Sequence, residues 1–374
     1  LTCPFIGIVV VMNSVSSSLA APYIVMMIVP TGIGAAIGGF AGDALPVARA
    51  IAHVADRLIT HPNVLNGAQL YWPLPNALYV EGYGLDRFAA GQWGLRPVTQ
   101  NRIGIVLDQG IEPELRVRHL QAADAARATL GLSITDYVVT DTPLGVSLQT
   151  ASSGATWGTI QHPDSLLRAV DTLIHQAKAE AIAVIARFPD DEGSEALQQY
   201  RQGQGVDALA GAEAVISHLV VRTFRVPCAH APALQPLPLD PVISPRSAAE
   251  ELGYTFLPCV LVGLSRAPQF TLEPSASPSV IWAHQVNALV VPATAMGGSA
   301  VLSLSQTGTL ILGVGDNTTT LNVTAEMLGV PAFQVNSYLE AIGVLVAHRA
   351  GLHPAALSPN IYPIQPCKPS TADN

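Results

Sequence analysis

Apolar positions along this chain follow two spacings. Short unbroken runs rich in Val and Ile cover residues 23–29, 102–110, 181–188 and 309–315, each bounded by Pro, Gly or Asp. They read as strands buried on both faces. Elsewhere apolar residues recur every three to four positions, the mark of a helix. Residues 44–61 fit this, with Asp43 placed to cap them, as do 113–131, begun by Pro and ended by Gly, 165–180 and 337–351. Strands alternating with helices predict an α/β fold, a mainly parallel sheet flanked by helices and divided into two lobes. Four further stretches are placed more coarsely. Residues 61–91 read as a long ordered loop with one short strand or helix, and 211–224 fit either a helix or a strand. Residues 225–234 read as a loop, and 254–268 as a central strand.

The Pro-rich segment at 232–248 is the expected boundary. It would separate an α/β lobe over 23–231 from a second over 249–357, with a Pro-rich tail at 358–374 and an N-terminal extension at 1–22. Apolar residues 5–12 and 23–30 are separated by NSVSSS, and neither run approaches the roughly 20 residues a spanning helix needs. A secretory signal would carry a basic leader, which is missing here. No membrane partner is expected.

Hydrophobic residues make up 49% of the 374 and charged residues only 12%, enough apolar material for a large core. The net charge of −9, with no basic run, argues against nucleic acid. There are two lysines, Lys178 in a helical stretch and Lys368 in the tail, which disfavours Schiff-base or pyridoxal chemistry. A cationic grip on substrate would fall to the 16 arginines. Cys3, Cys228, Cys259 and Cys367 form no CxxC pair, so a disulfide framework is not expected and a reducing compartment is the default.

Two glycine regions carry the strongest functional signal. IVPTGIGAAIGGFAGD (residues 28–43) and VVPATAMGGSAVL (290–302) each run from a β-branched stretch through Pro into a Gly-Gly pair. In this way a buried strand delivers its carboxyl end into a loop that a ligand can approach closely. Thr31, Gly32, Gly34, Gly38 and Gly39 in the first, and Gly297, Gly298 and Ser299 in the second, are the candidate ligand contacts. Both regions are expected on the same edge of one sheet. The first misses the dinucleotide fingerprint, because its third glycine comes one place late and no acidic residue ends a second strand at the right distance. Two readings stay open: loop N–H groups holding a carboxylate or phosphate, or glycines that serve tight helix–sheet packing. No cofactor is indicated.

Further candidates lie at other strand exits. Asp316, Asn317 and Thr318 follow the strand TLILGVG and are either ligand contacts or caps for the TAEMLG segment. His61 and Asn66 flank a His-Pro-Asn turn, and His230 sits in CAHAP at a strand-to-loop junction. His218, Cys228, His230 and Cys259 are soft-ligand types, but their spacing suits zinc poorly, and no metal site is assigned. Asp190 and Asp191 could serve Mg²⁺ or act as base, against the reading of a solvated acidic turn. No G-x-S-x-G occurs, which disfavours an α/β-hydrolase.

The segments IVPTGIGAAIGGFAGD, HPNVLNGA, AEAVISHLVV, CAHAPAL, AEELGYTFLPCVLVGLSRAP, ATAMGGSAVL, DNTT and NSYLEAIGVLVAHRAG carry a resemblance to a domain-of-unknown-function family of cyanobacteria and plant plastids. The resemblance covers residues 23–357 and implies a cytoplasmic (cyanobacterial) or plastid-stromal protein. It brings no activity and no catalytic residues. From the residues themselves, the expected function is an enzyme that binds a small anionic metabolite through its glycine-rich loops. Arginines would grip the anion, with His61, His230 or Asp316 as acid and base. The alternative is a non-catalytic ligand-binding or assembly protein. The expected partner is a small-molecule ligand, and the oligomeric state is left open.

Overall fold

A computed structural model describes residues 21–359, apart from 67, 191–192, 254–255 and 274–278, together with 361, 363 and 364. Most of the extension at 1–22 and of the tail at 358–374 lies outside the described residues, as do Cys3, Asp191, Cys367 and Lys368.

Strand β1 (Ile24–Met27) is fully buried and runs through the first glycine region into helix α1 (Leu45–Val54). The helix ends earlier than its apolar spacing suggests. Asp56 accepts the Tyr23 N–H at 2.7 Å, and the Leu-Ile-Thr run after it becomes β2 (Arg57–Thr60), paired in parallel with β1. Asp43 does not cap α1. Its carboxylate accepts from Gly38 N at 2.6 Å and from the Arg246 guanidinium at 2.7 Å. The stretch expected to be mainly loop is instead α2 (Pro62–Leu65), α3 (Ala68–Tyr71), β3 (Ala77–Tyr79) and α4 (Gly82–Ala89), followed by β4 (Gly94–Arg96).

The middle of the chain alternates as its spacing predicts. β5 (Ile103–Leu107) leads to α5 (Pro113–Leu130), stopped by Gly131 in the left-handed region at φ 68°. After β6 (Ile134–Val139) comes a hairpin of β7 (Val146–Thr150) and β8 (Thr156–Ile160), then α6 (Pro163–His175) and β9 (Ala181–Arg187). α7 (Glu195–Arg201) and α8 (Ala210–Phe224) follow. The expected loop at 225–234 contains β10 (Cys228–Ala233), in parallel register with β9 from Cys228–Ile182 to Ala233–Arg187. Pro227 and Pro232 disguise it, but β10 is an edge strand, where a missing N–H breaks no ladder.

α9 (Pro245–Glu251) precedes the largest departure from expectation. The apolar run at 254–268 is not a central strand but α10 (Leu257–Ser265), in which every residue except Pro258 is buried. A helix apolar on all sides belongs inside a core, where periodicity cannot tell it from a strand. α10 packs on β9 and β10 on one side and on α3 and α5 on others. The chain closes with β11 (Gln269–Thr271), β12 (Val286–Pro292), α11 (Ser299–Leu304), β13 (Leu310–Val314), α12 (Ala325–Leu328), β14 (Phe333–Val335) and α13 (Tyr338–Arg349).

The strands sort into a six-stranded parallel sheet, β14-β13-β12-β1-β2-β3, and a four-stranded parallel sheet, β10-β9-β5-β6. This is the α/β fold with parallel sheets flanked by helices. The expected boundary at 232–248 does not separate the sheets. β1 and β12 pair directly, Val25 opposite Ala288 and Met27 opposite Val290. The first sheet is thus closed by the two ends of the chain and the second is built from its middle. One hydrophobic cluster, including Val25, Ile105, Ile185, Leu261 and Val290, runs through both.

Candidate functional site

Parallel strands present all their carboxyl ends on one edge, and in the first sheet the exits of β12, β1, β2 and β3 lie side by side. The two glycine regions therefore leave neighbouring strands on the same edge. A cleft of about 430 Å³ opens there, within the range of small-molecule sites. Pro30, Thr31 and Gly39 come to it from the first glycine region, and Gly298 and Ser299 from the second. His61 and Asn66 follow β2, and Glu81 follows β3. The second sheet supplies His230 on β10, and helix α8 supplies Ala210, Glu213, Ala214, Ser217 and His218. Those α8 positions follow 3–4 spacing, so one helix face looks into the cleft. Asp207 and Glu250 complete an acidic side.

Each histidine has a different setting. Glu81 is 4% exposed, and one of its oxygens holds the first turn of α4 through Tyr83 N at 2.9 Å and Gly84 N at 3.2 Å. Its other oxygen contacts His218 Nδ1. Burial works against a charged His218, but the hydrogen bond and charge of Glu81, helped by Asp86, outweigh it and raise its pKa. His230 Nδ1 lies 3.0 Å from Ser217 Oγ, and its Nε2 lies 3.5 Å from Glu213. His61 is buried, and its Nε2 accepts the Val29 N–H at 3.1 Å. Burial pushes its pKa down to about 4, so it is neutral at ordinary pH.

The carboxylates crowd one another. Tyr200 donates to Glu250 at 2.6 Å, yet burial, with the charges of Glu213 and Asp43, pushes the Glu250 pKa up to about 7. Asp207 is raised well above the usual carboxylate range by burial and by the neighbouring Glu250 and Glu213. Among the described residues lining the cleft there is no Arg or Lys. Several of the arginines are engaged elsewhere: Arg187 with Glu112 and Asp190, Arg168 with Asp141 and Asp164, Arg201 with Glu251, and Arg349 with Asp56.

The structure thus brings Thr31, Gly39, His61, Asn66, His230, Gly298 and Ser299 together and leaves the other candidates outside. Gly32, Gly34 and Gly38 have φ of 71°, 58° and 92°. A Cβ on them would stand 2.8 Å from Thr156 Oγ1, 3.0 Å from Val206 Cγ2 and 2.6 Å from Val29 Cγ1, respectively. These glycines serve tight packing. Gly297 faces Val323 in the same manner, at 3.1 Å. Asn317 is fully buried and acts as a clip. It accepts from Ile37 N at 2.9 Å and donates to Ile37 O at 2.9 Å and to the Tyr338 hydroxyl at 2.7 Å. Asp316 and Thr318 are exposed, and helix α12 is capped by Thr324, so none of the three is its cap. Cys228 and Cys259 are both buried. Among the described residues no group of three or more His, Cys, Asp or Glu side chains is placed to hold a metal.

Glu81, Asp207, Glu213, Ser217 and Glu250 were not anticipated from sequence. A signal for three of the cleft groups was present: in an apolar helix, Glu213, Ser217 and His218 share the stripe of Ala210 and Ala214. Reading it required 211–224 to be a helix.

An α/β protein with two parallel sheets meeting at an acidic, histidine-bearing cleft is the class that fold and site define. The chain belongs to the family described as protein of unknown function (DUF3326), whose model matches residues 24–358. An uncharacterized lipoprotein of the cyanobacterium Synechococcus is 66% identical over 334 residues, 89% of this chain and 93% of that protein. No solved structure matches. The expected cytoplasmic or stromal location is overturned by this relative, because a lipoprotein points to membrane anchoring. Among the described residues no helix is long and apolar enough to cross a membrane.

Proposed function

We propose that the cleft is a proton-transfer site for a small neutral or cationic molecule. The observation that carries this reading is the convergence of His218, backed by buried Glu81, and His230, backed by Ser217, on one cleft that no Arg or Lys lines among the described residues. An imidazole oriented by a second group is the usual equipment for general acid–base work near neutral pH. In this reading His218 and His230 are the proton-transfer groups, and Glu81 and Ser217 position them. The anionic metabolite expected from sequence fits the site poorly, since among the described residues no Arg or Lys lines the cleft to compensate its charge.

The test screens the full chain by thermal shift against small amines, polyols and uncharged carbonyl compounds, with carboxylates and phosphate esters as the opposing set. Amines or neutral compounds should stabilise it. The best of them, incubated in D₂O, should take up deuterium with wild-type protein and not with a His218→Asn, His230→Asn double variant. Stabilisation by anions alone would overturn the ligand class. Binding without any deuterium uptake would make the protein a ligand carrier rather than an enzyme.

A further inference from the structure

We propose that His61 presents its Nδ1–H to the cleft as a hydrogen-bond donor for an uncharged oxygen, carbonyl or hydroxyl, on the ligand. This rests on the cleft being a ligand site, and it adds a group that takes no part in the proton transfer assigned to His218 and His230.

The tautomer follows from one backbone contact. Val29 N–H points at His61 Nε2 at 3.1 Å, and only a bare nitrogen lone pair can accept it. The ring proton therefore sits on Nδ1. Protonating Nε2 would set two N–H groups against each other in a buried position. The residue before it is anchored too: Thr60 Oγ1 donates to Met27 O at 2.6 Å, fixing the exit of β2 against β1. Nδ1 has no hydrogen-bond partner among the described residues, and it is not enclosed, since His61 lines the cleft. A neutral donor held on a strand end, and unable to charge at ordinary pH, offers an uncharged oxygen a hydrogen bond but offers a charged one no ion pair. A carboxylate would also meet Glu81 and Glu213 across the same space.

The first experiment needs no ligand. Imidazole nitrogen NMR of the ¹⁵N-histidine-labelled full chain should show His61 with Nδ1 protonated and Nε2 bare, unchanged between about pH 5.5 and 8. The opposite tautomer, or a titration in that range, would overturn the proposal while leaving the roles of His218 and His230 untouched. The second uses acetamide and dihydroxyacetone as uncharged carbonyl probes and acetate as the charged counterpart. Either uncharged probe should shift the Nδ1 signal, and acetate should not. Two variants separate the ring nitrogens by geometry. His61→Gln places an amide near the Nε2 position and can still accept from Val29, whereas His61→Asn places one near Nδ1. His61→Gln should weaken probe binding at least about tenfold with little change in melting temperature. His61→Asn should bind the probe and melt lower. No response of Nδ1 to either uncharged probe, or equal loss of binding in both variants, would sink the idea.

Discussion

Burial disfavours the charged forms of both His61 and Glu250, but they ionise in opposite senses, so they pull stability in opposite directions with pH. Burial lowers the His61 pKa from 6.5 to about 4. Below 6.5 the unfolded chain takes up the proton first, so this contribution is lost as pH falls from 6.5 towards 4. Burial raises the Glu250 pKa from 4.5 to about 7. The folded state then holds the proton longer, so its contribution is complete below 4.5 and is lost as pH rises towards 7. Each amounts to roughly 3 kcal/mol at most. Asp207, raised by its own burial, acts in the same sense as Glu250. Melting curves between about pH 4 and 8 should therefore show a steeper loss of stability with rising pH in His61→Gln and a flatter one in Glu250→Gln. Profiles that match wild type in both variants would contradict these assignments. Gly82 offers a further test. A Cβ there would stand 2.9 Å from His218 Cε1, pushing the ring off Glu81, although Ala is otherwise better than Gly in a helix by about 1 kcal/mol. Gly82→Ala should leave global stability within about 1 kcal/mol and lower the His218 pKa, as read by NMR titration. An unmoved pKa would mean that Glu81 does not set it.

At the scale of elements, what holds the cleft edge is a clip rather than the glycines alone. Asn317 ties the exit of β13 to the first glycine region through Ile37 and to α13 through Tyr338. Removing its side chain leaves the Ile37 N–H and C=O without their partner. Asn317→Ala should cost about 2–4 kcal/mol, whereas exposed Asp316→Ala should stay within about 0.5 kcal/mol. Chemical denaturation of the two variants checks this, and equal effects would remove the clip. The same region shows what the sequence made legible. β-branched runs ending in Pro and Gly located the strand exits of β1 and β12, and hence Thr31, Gly39, Gly298 and Ser299, because a buried parallel strand leaves a local signature. Asn317 is legible as a polar residue at a strand end, but two of its bonds go to Ile37, 280 positions away, which no local pattern encodes. β10 and α10 escape local pattern for related reasons. An edge strand tolerates Pro, and a helix enclosed on all sides loses the polar stripe that would reveal its period. Glu213, Ser217 and His218 were on view as a stripe, yet only a settled helix could turn that stripe into one face of a site.

On the scale of the whole molecule, the order of pairing overrides the order of the sequence. Composition marks 232–248 as a natural division, and by local criteria it is one, a Pro-rich crossing with Leu239 91% exposed. But β1 has β2 on one side and β12 on the other, so a fragment ending at residue 240 would carry β1, β2 and β3 with one flank of the sheet bare. Its complement, from 241 onward, would hold β12, β13 and β14 with the matching flank open. α10, in that second fragment, also fills the space against β9 and β10 in the first. Each fragment would expose buried Val, Ile and Leu that its own residues cannot cover, together with unpaired strand edges that invite association. Fragments 21–240 and 241–364, expressed separately, should therefore show no cooperative thermal unfolding, and co-expression should restore one shared transition close to that of the intact chain. The cleft draws His61, Glu81, His218 and His230 from the first fragment and Gly298 and Ser299 from the second, so ligand-induced stabilisation should return only in the reassembled pair. A separate fragment that melts cooperatively would show the boundary at 232–248 to be a true domain border, and the continuous core would have to be reinterpreted as an interface between two domains.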